Sequence, residues 1–224
     1  MTKNVVITGA NRGIGFELAK LYALKGYAVT AICRETSVEL EDIADQVISG
    51  IDLTATKAIE AASSLVEQLI EGDVDILINN AGIFSNETLE DLSLERIRQQ
   101  FEVNAIIPLQ LAHALLPLMV EGSKIINITS RMGSMGDNSS GAYYGYRASK
   151  AALNAFGKSL AVDVKERGIA VAQIHPGFVQ TRMVNFQGEI SPEQAASGIV
   201  ARIEALTLEN TGSFWHSNGQ ELPW

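Results

Sequence analysis

Thr8-Gly9-Ala10-Asn11-Arg12-Gly13-Ile14-Gly15 follows the short apolar run Asn4–Thr8 and precedes a stretch in which Leu18, Leu21, Tyr22 and Lys25 recur at helical spacing. The run reads as a buried strand and the stretch as an amphipathic helix, so the eight residues form a strand-to-helix turn. Glycines at 9, 13 and 15 permit a tight turn, close approach of the backbone to a pyrophosphate, and close helix–strand packing. The start of the next helix offers unpaired N–H groups and a positive dipole end to phosphate oxygens. The spacing is Gly-x3-Gly-x-Gly, not the commoner Gly-x-Gly-x-x-Gly, and a glycine-rich turn alone also serves as a plain connection. Residues further along the chain have to decide between the two.

Outward from this turn, apolar runs at Ala28–Cys33, Gln46–Ile51, Asp75–Asn79, Lys124–Thr129, Ile169–His175 and Ser213–His216 read as further strands. Between them lie helical patterns carried by Ile59, Ala62, Leu65, Val66 and Leu69, then by Leu94–Val120, Tyr144–Glu166 and Pro192–Leu206. Pro108 and Pro117 are expected to bend or end the second of these, and Ser191-Pro192 reads as an N-cap followed by proline at the first helical position. Strand–helix alternation without linkers or repeats implies a three-layer, doubly wound Rossmann fold. Its sheet is expected to be mostly parallel and seven-stranded, with residues 1–224 as one domain. In such sheets ligands bind beyond the carboxyl ends of the strands, where strand order reverses. The apolar share of 46% supplies a core without disulfides, and the one cysteine, Cys33, suits a reducing cytoplasm. A net charge of -9 disfavours nucleic acid and anionic membrane surfaces as partners. The longest apolar stretch, Leu111–Val120, is too short to cross a bilayer. No Cys/His grouping has metal-ligand spacing, so no metal is expected.

Tyr146 and Lys150 stand four apart on the helix after the fifth strand, so their side chains share one face. That strand ends Ile128-Thr129-Ser130, which puts a hydroxyl at the carboxyl edge of the sheet. Together these residues suit protonation of an alkoxide formed when hydride reaches a carbonyl. A free phenol has a pKa near ~10. A lysine ammonium at about 4 Å, worth roughly 4 kcal/mol at an effective dielectric of about 20, would lower it by up to about three units. Ser134 competes with Ser130 for the serine role; Tyr143 and Tyr144 compete with Tyr146 but lack a lysine four residues later.

With these motifs in view the chain resembles the short-chain dehydrogenase/reductase family. The resemblance rests on Thr8-Gly9-x3-Gly13-Ile14-Gly15, Asn79-Asn80-Ala81-Gly82, Asn104, Ser130, Tyr146-x3-Lys150 and Pro176-Gly177, in this order over almost the whole length. Tyr146–Asn154 and the ending Glu221-Leu222-Pro223-Trp224 are similar to its compact branch of C-factor-like proteins and sniffer-type carbonyl reductases. The resemblance implies Tyr146 as acid/base, Lys150 lowering its pKa and holding the nicotinamide ribose, Ser130 orienting the carbonyl, and Asn104 holding a relay water. It also implies that Gly9, Asn11, Arg12, Gly13, Ile14 and Gly15 hold the pyrophosphate. Asn80, Ala81 and Gly82 would line the adenosine ribose, Asp52 and Leu53 the adenine, and Pro176, Gly177, Phe178, Val179 and Thr181 the nicotinamide carboxamide. Asn104 also reads as a helix-kink residue bonding backbone, and Asp52 as a solvated turn carboxylate.

Arg34, directly after the second strand, and Arg12 in the glycine turn are placed to hold a ribose 2′-phosphate, so the expected cofactor is NADP(H). Glu35 is the competitor, as a carboxylate there would serve a 2′-hydroxyl. The segment Phe178–Ile190, with Phe178, Met183, Val184 and Phe186, resembles a substrate lid, and Ile83, Phe84, Met132 and Met135 are expected to join it. The expected reaction is therefore NADPH-dependent reduction of a small-molecule ketone, aldehyde or quinone by a cytoplasmic homodimer or homotetramer. The alternatives are a 3-oxoacyl carrier-protein reductase and a non-catalytic NADP(H)-sensing signalling protein. Arg131 reads as a surface ion pair, His175 as structural.

Overall fold

The computed structural model describes residues 2–224 except 53 and 56. Seven strands form one sheet: β1 Asn4–Thr8, β2 Ala28–Ile32, β3 Gln46–Ile48, β4 Val74–Asn79, β5 Lys124–Ile128, β6 Ala170–His175 and β7 Ser213–His216. Their order is β3-β2-β1-β4-β5-β6-β7, and every pairing between them is parallel. The chain leaves β1 toward β2 and β3, then returns to the other side of β1 as β4. The reversal therefore lies at the carboxyl ends of β1 and β4, directly beside the glycine turn.

The strands read as continuous apolar runs because both faces are covered. Val5, Ile7, Ile76, Ile78, Ile126, Ile128, Ala172 and Ile174 face one layer, formed by α1 (Gly13–Leu24), the short α2 (Val38–Glu41) and, after α3 to α6 below, α7 (Pro192–Ala205). Val6, Leu77, Ile125 and Val171, the alternating positions, face the other layer, built from α3 (Ala58–Leu69), α4 (Leu94–Phe101), α5 (Ile107–Leu115) and α6 (Tyr144–Asp163). The cores close with full burial of residues such as Ile199, Leu111 and Leu115, each worth ~1.5–3 kcal/mol. Ser191 is the N-cap and Pro192 takes the first helical position of α7, as the sequence implied, and Gln194 completes a reciprocal capping box with Ser191.

The helical run after β4 departs from expectation. Pro108 does not end it: α4 passes into α5 through a π-helical turn, Glu102–Ile106, closed by the Ile107 N–H on the Glu102 carbonyl. The wide turn falls one turn before the proline and absorbs the mismatch there. Pro117 does end the run, in a 3₁₀ turn at Leu116–Leu118. Leu94–Leu118 as a whole is long and apolar enough to cross a membrane by length and composition, yet its Ile107, Leu111 and Leu115 are buried against the sheet. β3 stops at Ile48, three residues before the expected Ile51.

Candidate active site

The glycine turn owes its shape to what its residues lack. Gly9 and Gly13 have φ of +67° and +56°, in the left-handed region that side chains avoid. A Cβ at Gly15 would lie 2.3 Å from the Gly9 carbonyl oxygen and 2.5 Å from Asn80 Nδ2, so helix and turn meet without room for a methyl. The strand–helix junction is braced from β4. Thr8 Oγ1 accepts from the N–H groups of Asn80 and Ala81, each at 3.0 Å, and Asn80 Nδ2 donates to the carbonyls of Thr8 and Gly9. Arg12 is the extended N-cap of α1 and supplies no side-chain cap, leaving the first N–H groups of the helix facing the turn. Thr181 reaches over this turn, its methyl 3.5 Å from where a Gly13 Cβ would stand.

The second half of the site gathers at the ends of β4, β5 and β6. Ser130 caps a 3₁₀ turn, Arg131–Gly133; its Oγ accepts from the Met132 N–H at 3.1 Å, which leaves its own O–H free to donate. That turn lies against α6 because Gly133 has no side chain: a Cβ there would be 2.7 Å from the Lys150 carbonyl carbon. Ser130, Tyr146 and Lys150 are thus brought together and buried, with the Ser130 hydroxyl close enough to Tyr146 to favour its ionised form. Phe84 packs edge-on against the Tyr146 ring at 5.0 Å between centroids. Ser134 is spent elsewhere, its hydroxyl donating to the Trp224 carbonyl and accepting from the Asp137 N–H. Tyr143 stands outside the helix as its left-handed N-cap, stacked on Phe84.

Burial pushes the Tyr146 phenol up to about 12, against the opposing pull of the Ser130 hydrogen bond, and pushes the Lys150 ammonium down to about 8. The expected lowering of the phenol by Lys150 is not met in this arrangement. Lys150 Nζ donates to the Ile128 carbonyl at 2.9 Å and stands 5.9 Å from the centre of the tyrosine ring, and desolvation by burial dominates the phenol's shift. A phenol held that high is protonated at neutral pH, which is the form a proton donor needs. Asn104, in the π turn, accepts from the Ile83 N–H at 2.8 Å and donates to the Ile83 carbonyl and to Ser149 Oγ. Its backbone-bonding alternative is therefore realised. Gly82 still keeps a gap open beside it, since a Cβ there would be 3.2 Å from Asn104 Oδ1 and 3.7 Å from Lys150 Nζ.

Other expected residues lie in the segments that follow β6, β2 and β3. Pro176 accepts from Ser217 through its carbonyl, Gly177 has φ of +96°, and Val179 is buried and bridged to Ile190. Phe178, Met183 and Phe186, from the segment expected to form a lid, and Met135 in the loop after β5, are exposed rather than packed into the core. Arg34 and Arg12 are exposed beyond β2 and at the turn. Asp52 is also exposed, held in a local turn by the Thr54 N–H and hydroxyl, and its carboxyl is lowered first by Thr54 and also by Arg34. The adenine expectation for Leu53 lies outside the described residues. Arg131 pairs with Asp137 at 2.7 Å, and burial pushes the His175 imidazole down to about 3 against the ring of His216. Sequence reasoning missed Gly133 and Glu87. Nothing local marks either, because each matters through contacts with elements distant in sequence, Gly133 with α6 and Glu87 with α4 and α6.

Residues 3–190 match the model described as short chain dehydrogenase. The chain belongs to the short-chain dehydrogenase/reductase family. It is 37% identical over 225 residues to the 1-hydroxy-2-glutathionyl-2-methyl-3-butene dehydrogenase of Rhodococcus sp. (strain AD45), covering 98% of this chain and 99% of that protein. Among solved structures the carbonyl reductase Sniffer of D. melanogaster superposes with a TM-score of 0.91 at 30% identity, covering 100% of both chains. A carbonyl reductase from Pseudomonas aeruginosa PAO1, solved in complex with NADP, gives 0.84 at 31% identity, again over 100% of both chains. In this family the chain groups with the sniffer-type branch that its sequence resembles, and it is an oxidoreductase.

Proposed function

We propose that this short-chain dehydrogenase/reductase is NADP(H)-dependent and reduces a ketone, aldehyde or quinone carbonyl to an alcohol, with Tyr146 as proton donor. The observation that carries the reading is the buried triangle of Ser130, Tyr146 and Lys150 at the carboxyl edge of the sheet, beside the side-chain-free glycine turn. The likeness to Sniffer and to the NADP-bound P. aeruginosa reductase supports it.

The turn fits a dinucleotide because a Cβ at Gly9 or Gly15 would fill the space against Ala81 and Asn80, and because α1 begins without a side-chain cap. In this reading Gly9, Asn11, Arg12, Gly13, Ile14 and Gly15 hold the pyrophosphate, Arg12 and Arg34 the 2′-phosphate, and Asp52 the adenine. Asn80, Ala81 and Gly82 line the ribose, while Pro176, Gly177, Phe178, Val179 and Thr181 orient the nicotinamide. When bound, the reduced cofactor supplies hydride. Ser130 donates its free O–H to the substrate oxygen, and Tyr146, protonated below about 12, gives its proton to the far more basic alkoxide. Lys150, with a pKa near 8, re-protonates Tyr146, and a water held by Asn104 in the gap that Gly82 leaves links Lys150 to solvent as the proton relay. In the oxidative direction the same groups run in reverse. Exposed Phe178, Met183 and Phe186 favour an apolar carbonyl substrate.

A cytoplasmic location and assembly as a homodimer or homotetramer belong to the same reading, with exposed Leu94 and Val162 on the outer faces of α4 and α6. The deciding experiment follows NADPH and NADH consumption by the purified protein over a panel of quinones, aldehydes, diketones and 3-oxoacyl thioesters. Turnover of an apolar carbonyl with NADPH is expected. Cofactor binding with no turnover on any member would instead support a sensing role, and turnover confined to 3-oxoacyl thioesters would assign the substrate differently.

A further inference from the structure

Glu87 lies in the loop between β4 and α4, far in sequence from Tyr146, and its carboxylate is entirely buried. Burying a carboxylate is costly unless each oxygen is matched by donors. Here the donors come from three separate stretches of chain. Ser85 donates its hydroxyl to Oε1, Gln100 of α4 donates to Oε1 at 3.0 Å, and the Gly145 N–H in the first turn of α6 donates to Oε2 at 3.1 Å. The Arg96 guanidinium stands 3.6 Å from Oε1. The Glu87 main-chain carbonyl in turn accepts from the Tyr143 N–H at 2.8 Å, and Gln100 Oε1 accepts from the Ser85 N–H. The oxygens are thus engaged as acceptors, which leaves the group unsuited to proton transfer.

The turn held in this way is a strained one. Ala142 and Tyr143, neither of them glycine, both adopt left-handed φ, at +51° and +54°. Such residues cost on the order of 1–3 kcal/mol each and persist only where their surroundings impose them. Gly145 follows, and a Cβ on it would be 2.3 Å from Gln100 Nε2 and 3.1 Å from Glu87 Oε2, so the cluster fills the space against the helix. Tyr146 is the next residue, and Phe84, on the Glu87 loop, packs against both its ring and that of Tyr143. We infer that Glu87 is a positioning residue whose buried carboxylate clamps the turn into α6 and thereby fixes the Tyr146 hydroxyl relative to Ser130. The inference rests on the proton-donor reading of Tyr146.

The donor–acceptor pattern supplies the test. Glu87→Gln sets an amide N–H₂ against donors, whereas Glu87→Gln with Gln100→Glu moves the acceptor-only group across the same contact. With NADPH and a carbonyl substrate, Glu87→Gln is expected to lower kcat by about tenfold or more, the scale of a sub-ångström to 1 Å misplacement, with NADPH Kd unchanged within about twofold. The double variant is expected to recover most of that kcat. Unchanged kcat in Glu87→Gln, an equal loss in Kd, or no recovery in the double variant overturns the clamp. Should Glu87→Gln fail to fold, Ser85→Ala removes one donor only; a lower kcat at constant Kd supports the clamp and an unchanged kcat overturns it. Tyr146→Phe run in parallel separates the two claims, because activity surviving in that variant defeats the proton-donor reading itself.

Discussion

Gly133→Ala adds a single methyl where the 3₁₀ turn meets α6. The new Cβ would lie 2.7 Å from the Lys150 carbonyl carbon, 2.9 Å from its oxygen and 3.0 Å from the Ala151 nitrogen. All three are main-chain atoms of a 20-residue helix, so no flexible side chain can swing away. The turn has to move by several tenths of an ångström, and Ser130, its cap, moves with it. Overpacking of this kind costs about 1–3 kcal/mol. At roughly 2–4 °C per kcal/mol for a chain of this size, Tm should fall by about 2–12 °C. Turnover should fall further, toward about a hundredfold, because catalysis is sensitive to displacements near 1 Å. NADPH affinity should change little, since the glycine turn at residues 9–15 is untouched. Gly136→Ala is the internal control: it sits in the same loop, and its Cβ would meet nothing closer than 3.4 Å. Thermal melts and steady-state kinetics on both variants read the outcome. Equal behaviour of the two, or full activity in Gly133→Ala, would refute the claim that this contact sets the Ser130–Tyr146–Lys150 triangle.

Lys150→Met should abolish most turnover and weaken NADPH while raising stability near neutral pH. The folded-state pKa of Lys150 is depressed to about 8, so its charge destabilises the fold below that value and the cost vanishes as pH rises toward the unfolded value near ~10.4. The methionine variant should therefore show a higher Tm at pH 7, by up to about 3 kcal/mol of stability, and lose that advantage by about pH 10. A lower Tm at pH 7 would contradict it. Arg34→Ala should weaken NADPH by roughly 1.5–3 kcal/mol and leave NADH nearly unchanged, as measured by cofactor titration; equal losses would place Arg34 away from the 2′-phosphate. Light scattering at micromolar concentration should give a dimer or tetramer mass, and a monomer mass would remove the oligomer from the reading.

Features with a local cause were legible in the sequence. The glycine turn, the alternation of β-branched runs with helical periods, the capping of α7 and the shared face of Tyr146 and Lys150 all depend on residues within a turn or two of each other. Features decided at a distance were not. Pro108 sits unbroken in a helix because the π turn before it is anchored by Asn104 to Ile83. Its place at the end of the strand favours Ser130 over Ser134, but the contact that occupies Ser134, with Trp224, was not legible, and the direction of the Tyr146 shift turns on burial that a Coulomb estimate at a fixed dielectric omits. Glu87 reads as one more loop carboxylate until the fold surrounds it with Ser85, Gln100 and Gly145.

The central claim is that Tyr146 donates the proton, and Tyr146→Phe tests it with the loss of one oxygen atom and little change in shape. General acid catalysis contributes typically ~10²–10⁴-fold, so carbonyl reduction by the variant should fall at least about a hundredfold. NADPH titration of the same sample should return an affinity close to that of the unmodified protein, because the glycine turn, Lys150 and Ser130 are intact. A variant that binds NADPH and keeps more than about a tenth of the original turnover would show that the proton comes from elsewhere.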